Sequence, residues 1–376
     1  MLLWQFLTVH YNRSGNWSAL FVTGSDLPVP PQLAAATYRF PGTGYDGEMY
    51  RYVAHAPFVP NGYQRYLDDP EQRYRRILVP ALAYVLAAGQ QPWIDAAYIA
   101  VIALFVFLGA YWLSRWAVLH AAHPAWALAF LAAPAALISM DRMTVDVAVA
   151  ALTAGFILYS ETEERPKLYA LLLFACLVRE TGLLLVAGAC AFELFGFRWR
   201  RAALWASSAL PMIAWYVWLH HRYPSPLRLG APTWFLKRFG PGLFFRLVHP
   251  RVYPLPPSTA AIVRVSDSIA LLGILLACVL AIVMFCRAGP KSPAALTALF
   301  CTILVFLLTN RTYWSDAISY ARVMSPLLLL VSLPSIQAQS GRAWWLGLVP
   351  TALVDLRVGA QLFYSVSGVV RGLLHF

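Results

Sequence analysis

Long apolar runs follow one another along most of this chain. A membrane-spanning helix needs about 20 predominantly apolar residues. Runs of roughly this length lie at 93–114, 125–140, 143–160, 202–219, 268–286, 292–310 and 323–341. The segment 343–376 holds one or two more, broken by Asp355 and Arg357. Together with the apolar segment 168–197, they predict an all-α polytopic membrane protein with about 10 or 11 transmembrane helices. We treat residues 1–376 as a single integral membrane domain.

Two polar stretches interrupt this pattern, at 11–76 and 220–265, and both are rich in proline and aromatic residues. They predict two long loops outside the membrane. The segment 77–90 between the first loop and the first clear span is apolar but short, which favours an interfacial or partly inserted helix.

The segment 168–197 is too long for one crossing and too short for two complete ones. Arg179 and Glu180 lie at its middle. Adjacent residues on a helix do not face each other, so these two charges do not neutralise one another in a straight helix. The sequence therefore predicts two short helices that meet at Arg179-Glu180 and line a cavity.

Composition supports the membrane assignment, since 60% of residues are hydrophobic and 12% are charged. The net charge of +12 is carried mainly by loops, which favours membrane lipids and phosphates over nucleic acid as partners. All 5 cysteines fall inside or at the ends of apolar runs, so they are expected to be small core residues without a disulfide framework.

Basic residues in short connectors predict the orientation. One set of connectors is more basic than the other and is assigned to the cytoplasm; it holds Arg115, Arg165, Lys167, Arg198, Arg200, Arg201, Arg287, Lys291 and Arg342. The other set holds Arg142, Arg179, Arg311 and Arg322. The sequence thus predicts an inner-membrane protein whose two long loops face the periplasm or an equivalent outer compartment.

The most distinctive polar motif is GYDGEMY at residues 44–50. Gly44 and Gly47 allow the chain to turn tightly around Asp46, with Glu48 close behind. Two interpretations remain open from the residues alone. The motif is either a reactive loop at the membrane surface or an ordinary turn in which Asp46 caps a helix.

The motif resembles part of a known family. YDG at 45–47, Tyr50, Ala54 and YRRILVP at 74–80 are similar to the first extracytoplasmic loop of the GT-C superfamily of polytopic glycosyltransferases. The closer resemblance is to a bacterial branch associated with cell-surface glycopolymers, with PIG-V-type mannosyltransferases as distant relatives. LVRETGL at 177–183 and YARVMSP at 320–326 match later parts of the same family.

The resemblance implies transfer of a sugar from a polyprenyl-phosphate donor to a glycan or lipid acceptor, with Asp46 as the catalytic base. Glu48 is the alternative base. Arg179 and Arg322 are the candidates for holding the donor phosphate, because the guanidinium plane matches phosphate oxygens. Further candidate substrate-binding residues are Tyr45, Tyr50, Arg76, Asp141, Arg142, Asp146 and Glu180.

Each of these charged positions has a structural alternative. Arg322 has the position of an interfacial anchor at the end of a span. Asp141, Arg142 and Asp146 could form local ion pairs in a connecting loop, and Arg179 with Glu180 a buried structural network. Charged groups at membrane depth are costly unless they line a wet site, which is the reason to consider them functional.

An acidic cluster, Asp68-Asp69-Pro70-Glu71, also has two interpretations. With Asp46 or Glu48 it would bind a divalent cation, Mg or Mn; otherwise it is a solvated turn and helix cap. Rival functions are a transporter or flippase of a lipid-linked sugar and a non-catalytic subunit of a glycan-assembly machine. Walker A, HExxH and GxSxG motifs do not occur in the sequence.

Overall fold

The computed structural model describes residues 1–58, 62–162, 164–222, 241–308, 313–338 and 343–374, and most of them are helical. The helices are α1 Leu2–Asn12, α2 Pro31–Ala34, α3 Asp46–His55, α4 Pro70–Arg75, α5 Leu78–Leu86, α6 Ile94–Leu119, α7 Leu128–Leu131, α8 Pro134–Arg142, α9 Asp146–Glu161, α10 Arg165–Val178, α11 Leu183–Phe195, α12 Trp199–Ser207, α13 Leu210–Arg222, α14 Pro241–Val248, α15 Pro257–Ala288, α16 Pro293–Leu307, α17 Ala317–Ala338, α18 Ala343–Leu346 and α19 Val349–Leu374. Two short strands, β1 Thr23–Gly24 and β2 Arg39–Phe40, pair in parallel with Thr23 opposite Arg39. Single 3₁₀ turns lie at Trp17–Phe21, Tyr63–Tyr66, Gln91–Trp93, Pro124–Ala127, Glu180–Gly182, Gly289–Lys291 and Tyr313–Ser315.

The chain is an all-α membrane protein by the length and composition of its helices. Four segments in the described residues are long and apolar enough to cross a bilayer, and the number rises to 6 if each of two bent helix pairs is one span. The four are Gln91–Leu119, Trp199–Arg222, Pro257–Lys291 and Ala317–Ala338. The larger number expected from the sequence stays a prediction, since several expected spans correspond to shorter helices such as α9, α10, α11 and α16.

Two of the sequence predictions need correction at their boundaries. The expected straight span 125–140 is a pair of helices that meet at 57°, because Pro134 begins a new helix there. The second loop is shorter than 220–265, because α15 is already helical from Pro257. Residues 223–240, including Arg228, Lys237 and Arg238 of that loop, lie outside the described residues.

The first predicted loop, 11–76, forms a small folded layer rather than an irregular loop. It contains α2, α3, α4 and the two strands, and its own core includes Met49, Tyr52, Val53 and Tyr74. Arg51 of α3 donates to Asp95 at the start of α6 over 2.7 Å, and His55 lies 3.1 Å from the same carboxylate. These contacts hold α3 against the end of a membrane helix.

The centre of the bundle is formed by α9 and α17. In α9 every residue from Asp146 to Leu158 is buried, and α6, α8, α10 and α17 pack around it. Alanines and Gly155 keep the surface of α9 flat, and a methyl group on Gly155 would meet Leu171 and Trp112. Close packing of this kind places the first turns of α9 and α17 side by side.

The predicted break in 168–197 is confirmed. The helix α10 ends at Val178, Arg179 is extended with φ −165° and ψ 154°, and α11 begins at Leu183 after one 3₁₀ turn. Gly182 lies against the end of α10, where an added Cβ would come within 2.1 Å of the Ala175 carbonyl oxygen. The break therefore depends on a residue without a side chain.

We expect Gly182→Ala to destabilise the protein, because the clash is with backbone that cannot rotate away. Overpacking of this kind costs about 1–3 kcal/mol. The measurement is the thermal unfolding midpoint of purified protein in detergent. Gly359→Ala is the matched control, since nothing lies within 4 Å of its Cβ position. Equal midpoints for both variants would show that the break tolerates a side chain.

Candidate functional site

The GYDGEMY motif forms the turn into α3. Gly44 has φ +75°, a left-handed conformation that favours glycine, and Tyr45 is the extended residue before the helix. Asp46 is the first residue of α3, and a Cβ on Gly47 would approach the Arg142 carbonyl oxygen to 2.1 Å. The two glycines therefore let the start of α3 press directly on the connection between α8 and α9.

Asp46 binds two arginines from distant parts of the chain. Arg73 of α4 lies 2.8 Å from one carboxylate oxygen, and Arg322 of α17 donates to the other. Arg73 also pairs with Asp68 at 2.6 Å. The Asp46 side chain is 19% exposed, so it lies at the rim of the protein interior. It is thus a bound, partly accessible carboxylate rather than a helix cap.

Asp146, the first residue of α9, faces the same arginine from the other side. It accepts from Arg179 at the α10–α11 break, and its second oxygen lies 3.2 Å from Arg322. With only 2% of its side chain exposed, Asp146 is deeply buried. Arg322 therefore bridges Asp46 and Asp146.

A fourth carboxylate, Glu180, extends the network toward α5. Arg76 lies 3.2 Å from Glu180 and donates to the Tyr50 hydroxyl over 2.7 Å. Arg73 stacks over the Tyr50 ring at 5.4 Å from its centroid. We define the arginine–carboxylate cluster by what its members share, a direct ion pair in this network: Asp46, Asp68, Asp146, Glu180, Arg73, Arg76, Arg179 and Arg322.

Tyr45, Asp141 and Arg142 border this cluster. The Tyr45 ring lies between two guanidinium groups, with Arg142 at 4.8 Å and Arg322 at 5.1 Å from its centroid. Arg142 also pairs with Asp141 at 3.3 Å. The predicted site residues other than Glu48 therefore converge on one region, although they come from four separate parts of the chain.

Glu48 has different surroundings. It is fully buried, accepts from the Gly24 amide at 3.0 Å and from the Tyr52 hydroxyl at 2.8 Å, and so connects α3 to β1. Burial raises the pKa of Glu48, and these hydrogen bonds offset only part of that effect. Its contacts are those of a structural residue, whereas Asp46 pairs with two arginines of the cluster.

The two arginine partners of Asp46 keep its carboxylate ionised. Burial on its own would raise the pKa of Asp46, but Arg322 and Arg73 more than offset this and hold the pKa well below its usual range. Asp68 behaves in the same way, with burial opposed by Arg73 and a lowered pKa as the result. Both carboxylates are therefore charged at neutral pH.

Several buried polar atoms around Arg322 lack a hydrogen-bond partner in the described structure. They include the Nε and Nη1 atoms of Arg322, one carboxylate oxygen of Asp146, and the hydroxyls of Tyr45 and Tyr313. The 3.2 Å approach between Arg322 and Asp146 thus lacks hydrogen-bond geometry. Buried donors rarely stay unpaired, so this point of the cluster has capacity for a polar ligand or water.

The acidic residues at 68–71 have different partners. Asp69 caps α4 by accepting from the Gln72 amide at 3.1 Å, Glu71 pairs with Arg75, and Asp68 faces Arg73. The described residues contain no group of three His, Cys, Asp or Glu side chains that could hold a metal. The divalent cation stays a prediction, and we derive no chemical step from it.

Sequence reasoning missed two residues of this region. Arg73 lies in α4, whereas Arg76 follows the end of that helix, so helical spacing did not group the two arginines. Tyr313 carried no local signal either. Only the folded chain brings its hydroxyl close to the arginines.

Gly44 and Gly47 of the motif, together with Gly42 just before it, have GxGxxG spacing. In a dinucleotide-binding fold this turn joins a long parallel strand to a helix whose amino end holds a pyrophosphate. Here the strand β2 has only two residues, and the Asp46 carboxylate occupies the amino end of α3. Because the long parallel strand is missing here, the spacing does not indicate a nucleotide site.

Comparisons with family models, with curated proteins and with solved structures find no match to this chain. The functional interpretation therefore depends on the geometry of the cluster. A cavity of about 370 Å³ between α7, α17 and α19 has no cluster residue in its lining.

We expect Asp146→Asn to destabilise the protein strongly. Removing one partner of a buried ion pair costs about 3–5 kcal/mol, because the remaining charge stays desolvated. Asp146→Asn combined with Arg179→Gln should recover part of the loss in thermal unfolding midpoint. The control is Glu164→Gln, which breaks an exposed pair with Lys167 and should cost less than about 1 kcal/mol. An Asp146→Asn protein as stable as the control would contradict the network.

Proposed function

We propose that the protein is a membrane glycosyltransferase that uses a polyprenyl-phosphate-linked sugar as its donor. The observation that supports this most is the bridge in which Arg322 joins Asp46 and Asp146 at the edge of the membrane helices. It combines a charged carboxylate with Arg322, which has two donor nitrogens without a hydrogen-bond partner in the described structure. Those are the two kinds of group that sugar transfer from a phosphate donor requires.

In the proposed reaction Asp46 takes the proton of an acceptor hydroxyl. The acceptor oxygen forms a bond to the anomeric carbon as the bond from that carbon to the phosphate oxygen breaks. The departing polyprenyl phosphate keeps the electron pair, and the arginines stabilise its charge. With one carboxylate acting at the sugar, the transfer inverts the anomeric configuration.

A donor phosphate would compete with Asp46 and Asp146 for the same guanidinium groups. As Arg322 and Arg73 turn toward the phosphate, Asp46 loses the interactions that lower its pKa and becomes a stronger base. Donor binding would thus activate Asp46 in the same step. Tyr45 and Tyr50, which already contact arginines, line this region and would contact the sugar or acceptor.

The orientation proposed from the basic connectors places this cluster outside the cytoplasm. The bundle separates the two sets of arginines in a way that supports this proposal. Arg142, Arg179 and Arg322 gather at the cluster, whereas Arg165, Arg198 and Arg201 gather at another pocket at the far ends of α10 and α11. A site on the outer face has no nucleotide-sugar pool, and a lipid-linked donor is the source that remains.

Asp46→Asn should abolish transfer while donor binding persists. An amide keeps the shape of the carboxylate but cannot accept the proton, and general-base catalysis contributes about 10²–10⁴-fold. The assay follows transfer from a panel of radiolabelled polyprenyl-phosphate hexoses by purified protein in liposomes, together with binding of polyprenyl phosphate. Binding should persist or tighten slightly, since one negative charge is removed.

Asp69→Asn is the matched control, because Asp69 is an acid of the same loop that only caps α4. It should keep full transfer. Normal turnover by Asp46→Asn would exclude Asp46 as the base. Movement of the lipid donor across the bilayer without any transfer by the wild type would favour the flippase.

The topology of the chain in the membrane gives a separate test of the proposal that the cluster faces the outside of the cell. In a cysteine-free background, a single cysteine at Asp68 should react with a membrane-impermeant maleimide in intact cells. A single cysteine at Arg200 should react only after the membrane is permeabilised. Protection of the Asp68 position in intact cells would reverse the orientation and remove the argument for a lipid-linked donor.

A further inference from the structure

A second polar site lies at the opposite end of the α10–α11 pair. It is a pocket of about 100 Å³ where α9 ends, α10 begins, α11 ends, and α12 and α16 begin. We call it the arginine pocket, and its charged lining consists of Glu161, Arg165, Glu193, Arg198 and Arg201. The 14 residues of α10 separate it from the break at Arg179, a distance of about 20 Å at 1.5 Å per residue. It is therefore distinct from the arginine–carboxylate cluster.

The two carboxylates of the arginine pocket already have partners. Glu193 lies 2.5 Å from Arg198 and accepts from the Trp205 indole at 3.4 Å, while Glu161 lies 2.7 Å from His120. The side chain of Arg201 makes no hydrogen bond or ion pair with the part of the chain that the structure describes. One guanidinium group on the pocket wall thus has its full set of donors available.

Helix ends add to the positive potential. The amino-terminal turns of α10, α12 and α16 all reach the pocket, through Arg165, Arg201 and Pro293. The aligned peptide dipoles give the start of a helix a partial positive charge, which favours anions. Together with the arginines, they make this a site for a small, strongly charged anion such as a phosphate group.

The neighbouring turn indicates where that anion comes from. Between α11 and α12 three aromatic side chains are exposed, with Phe195 at 58%, Phe197 at 81% and Trp199 at 64%. Phe197 has φ +56°, an unfavourable conformation for a residue with a side chain, in this outward-facing turn. Exposed Trp and Phe at the end of membrane helices are typical of the layer between head groups and acyl chains.

We propose that the arginine pocket binds the phosphate of an anionic phospholipid head group, with the acyl chains lying along the exposed aromatic turn. Basic pockets between membrane helices commonly take such head groups. The site is independent of the proposed sugar transfer, because it shares no residue with the arginine–carboxylate cluster. A free phosphate ion has the same chemistry and is the alternative source.

The test compares Arg201→Gln with Arg200→Gln in the full-length purified protein. Arg200 is the adjacent residue, is exposed and is absent from the pocket lining, so the two variants lose the same charge at nearly the same place. Neither side chain supports the fold through a described ion pair. Binding is measured by native mass spectrometry in a neutral detergent, with titration of phosphatidylglycerol, phosphatidylcholine and inorganic phosphate.

Wild type and Arg200→Gln should retain phosphatidylglycerol equally, and Arg201→Gln should bind it about tenfold more weakly, as expected for one lost charge-assisted hydrogen bond. Phosphatidylcholine should bind more weakly than phosphatidylglycerol to all three proteins. Equal losses in the two variants would overturn the proposal, because binding would then follow net charge. Displacement of the lipid by inorganic phosphate at equal concentration would assign the pocket to a soluble anion and overturn the lipid assignment.

Discussion

The position of Arg322 between Asp46 and Asp146 is the interaction on which the site depends. Asp46 belongs to the folded first loop, Asp146 begins the central helix α9, and Arg322 lies in the second turn of α17. A buried guanidinium without partners would cost several kcal/mol in desolvation. Arg322 of α17 is neutralised by one carboxylate from each of the other two elements, and the loop docks on the bundle at this point.

The cluster contains as many arginines as carboxylates, and this balance determines how it can bind an anion. Arg73, Arg76, Arg179 and Arg322 face Asp46, Asp68, Asp146 and Glu180, so the arginines are already neutralised. An anionic ligand must then be exchanged for a carboxylate instead of being added to a free positive surface. A phosphate that took the place of one carboxylate at these arginines would leave that carboxylate free to act as a base.

Polar groups concentrate at the two ends of the α10–α11 pair, and the apolar lengths of these helices separate them. One end carries Arg179 and the cluster, and the other carries the arginine pocket. Hydrocarbon surroundings tolerate charge only where it is paired, hydrated or bound to a ligand. This constraint explains why both sites are compact and why each is built from several helix ends.

The sequence by itself determined the membrane class, the break at Arg179-Glu180 and the residue types of the candidate site. These features depend on local patterns, namely apolar length, a charge pair at the middle of an apolar segment, and glycines around Asp46. Pro134 is a local signal for the bend, but the continuous apolar run 125–140 around it favoured a single span. Pro257 is the same kind of local signal at the start of α15, but the polar residues of the first turns of this helix favoured a loop.

Only the tertiary structure decided which of the charged residues belong together. The partners Asp46 and Arg322 are separated by 276 positions in the chain, and no periodic pattern connects positions so distant. Glu48 is the opposite case. It is only two residues from Asp46 in the chain, but it contacts Gly24 and Tyr52 and lies outside the cluster. Helical periodicity fixes which face a residue occupies on its own helix. The packing of one helix against another decides what that face meets, and in this protein that packing brings Arg322 between its two carboxylates.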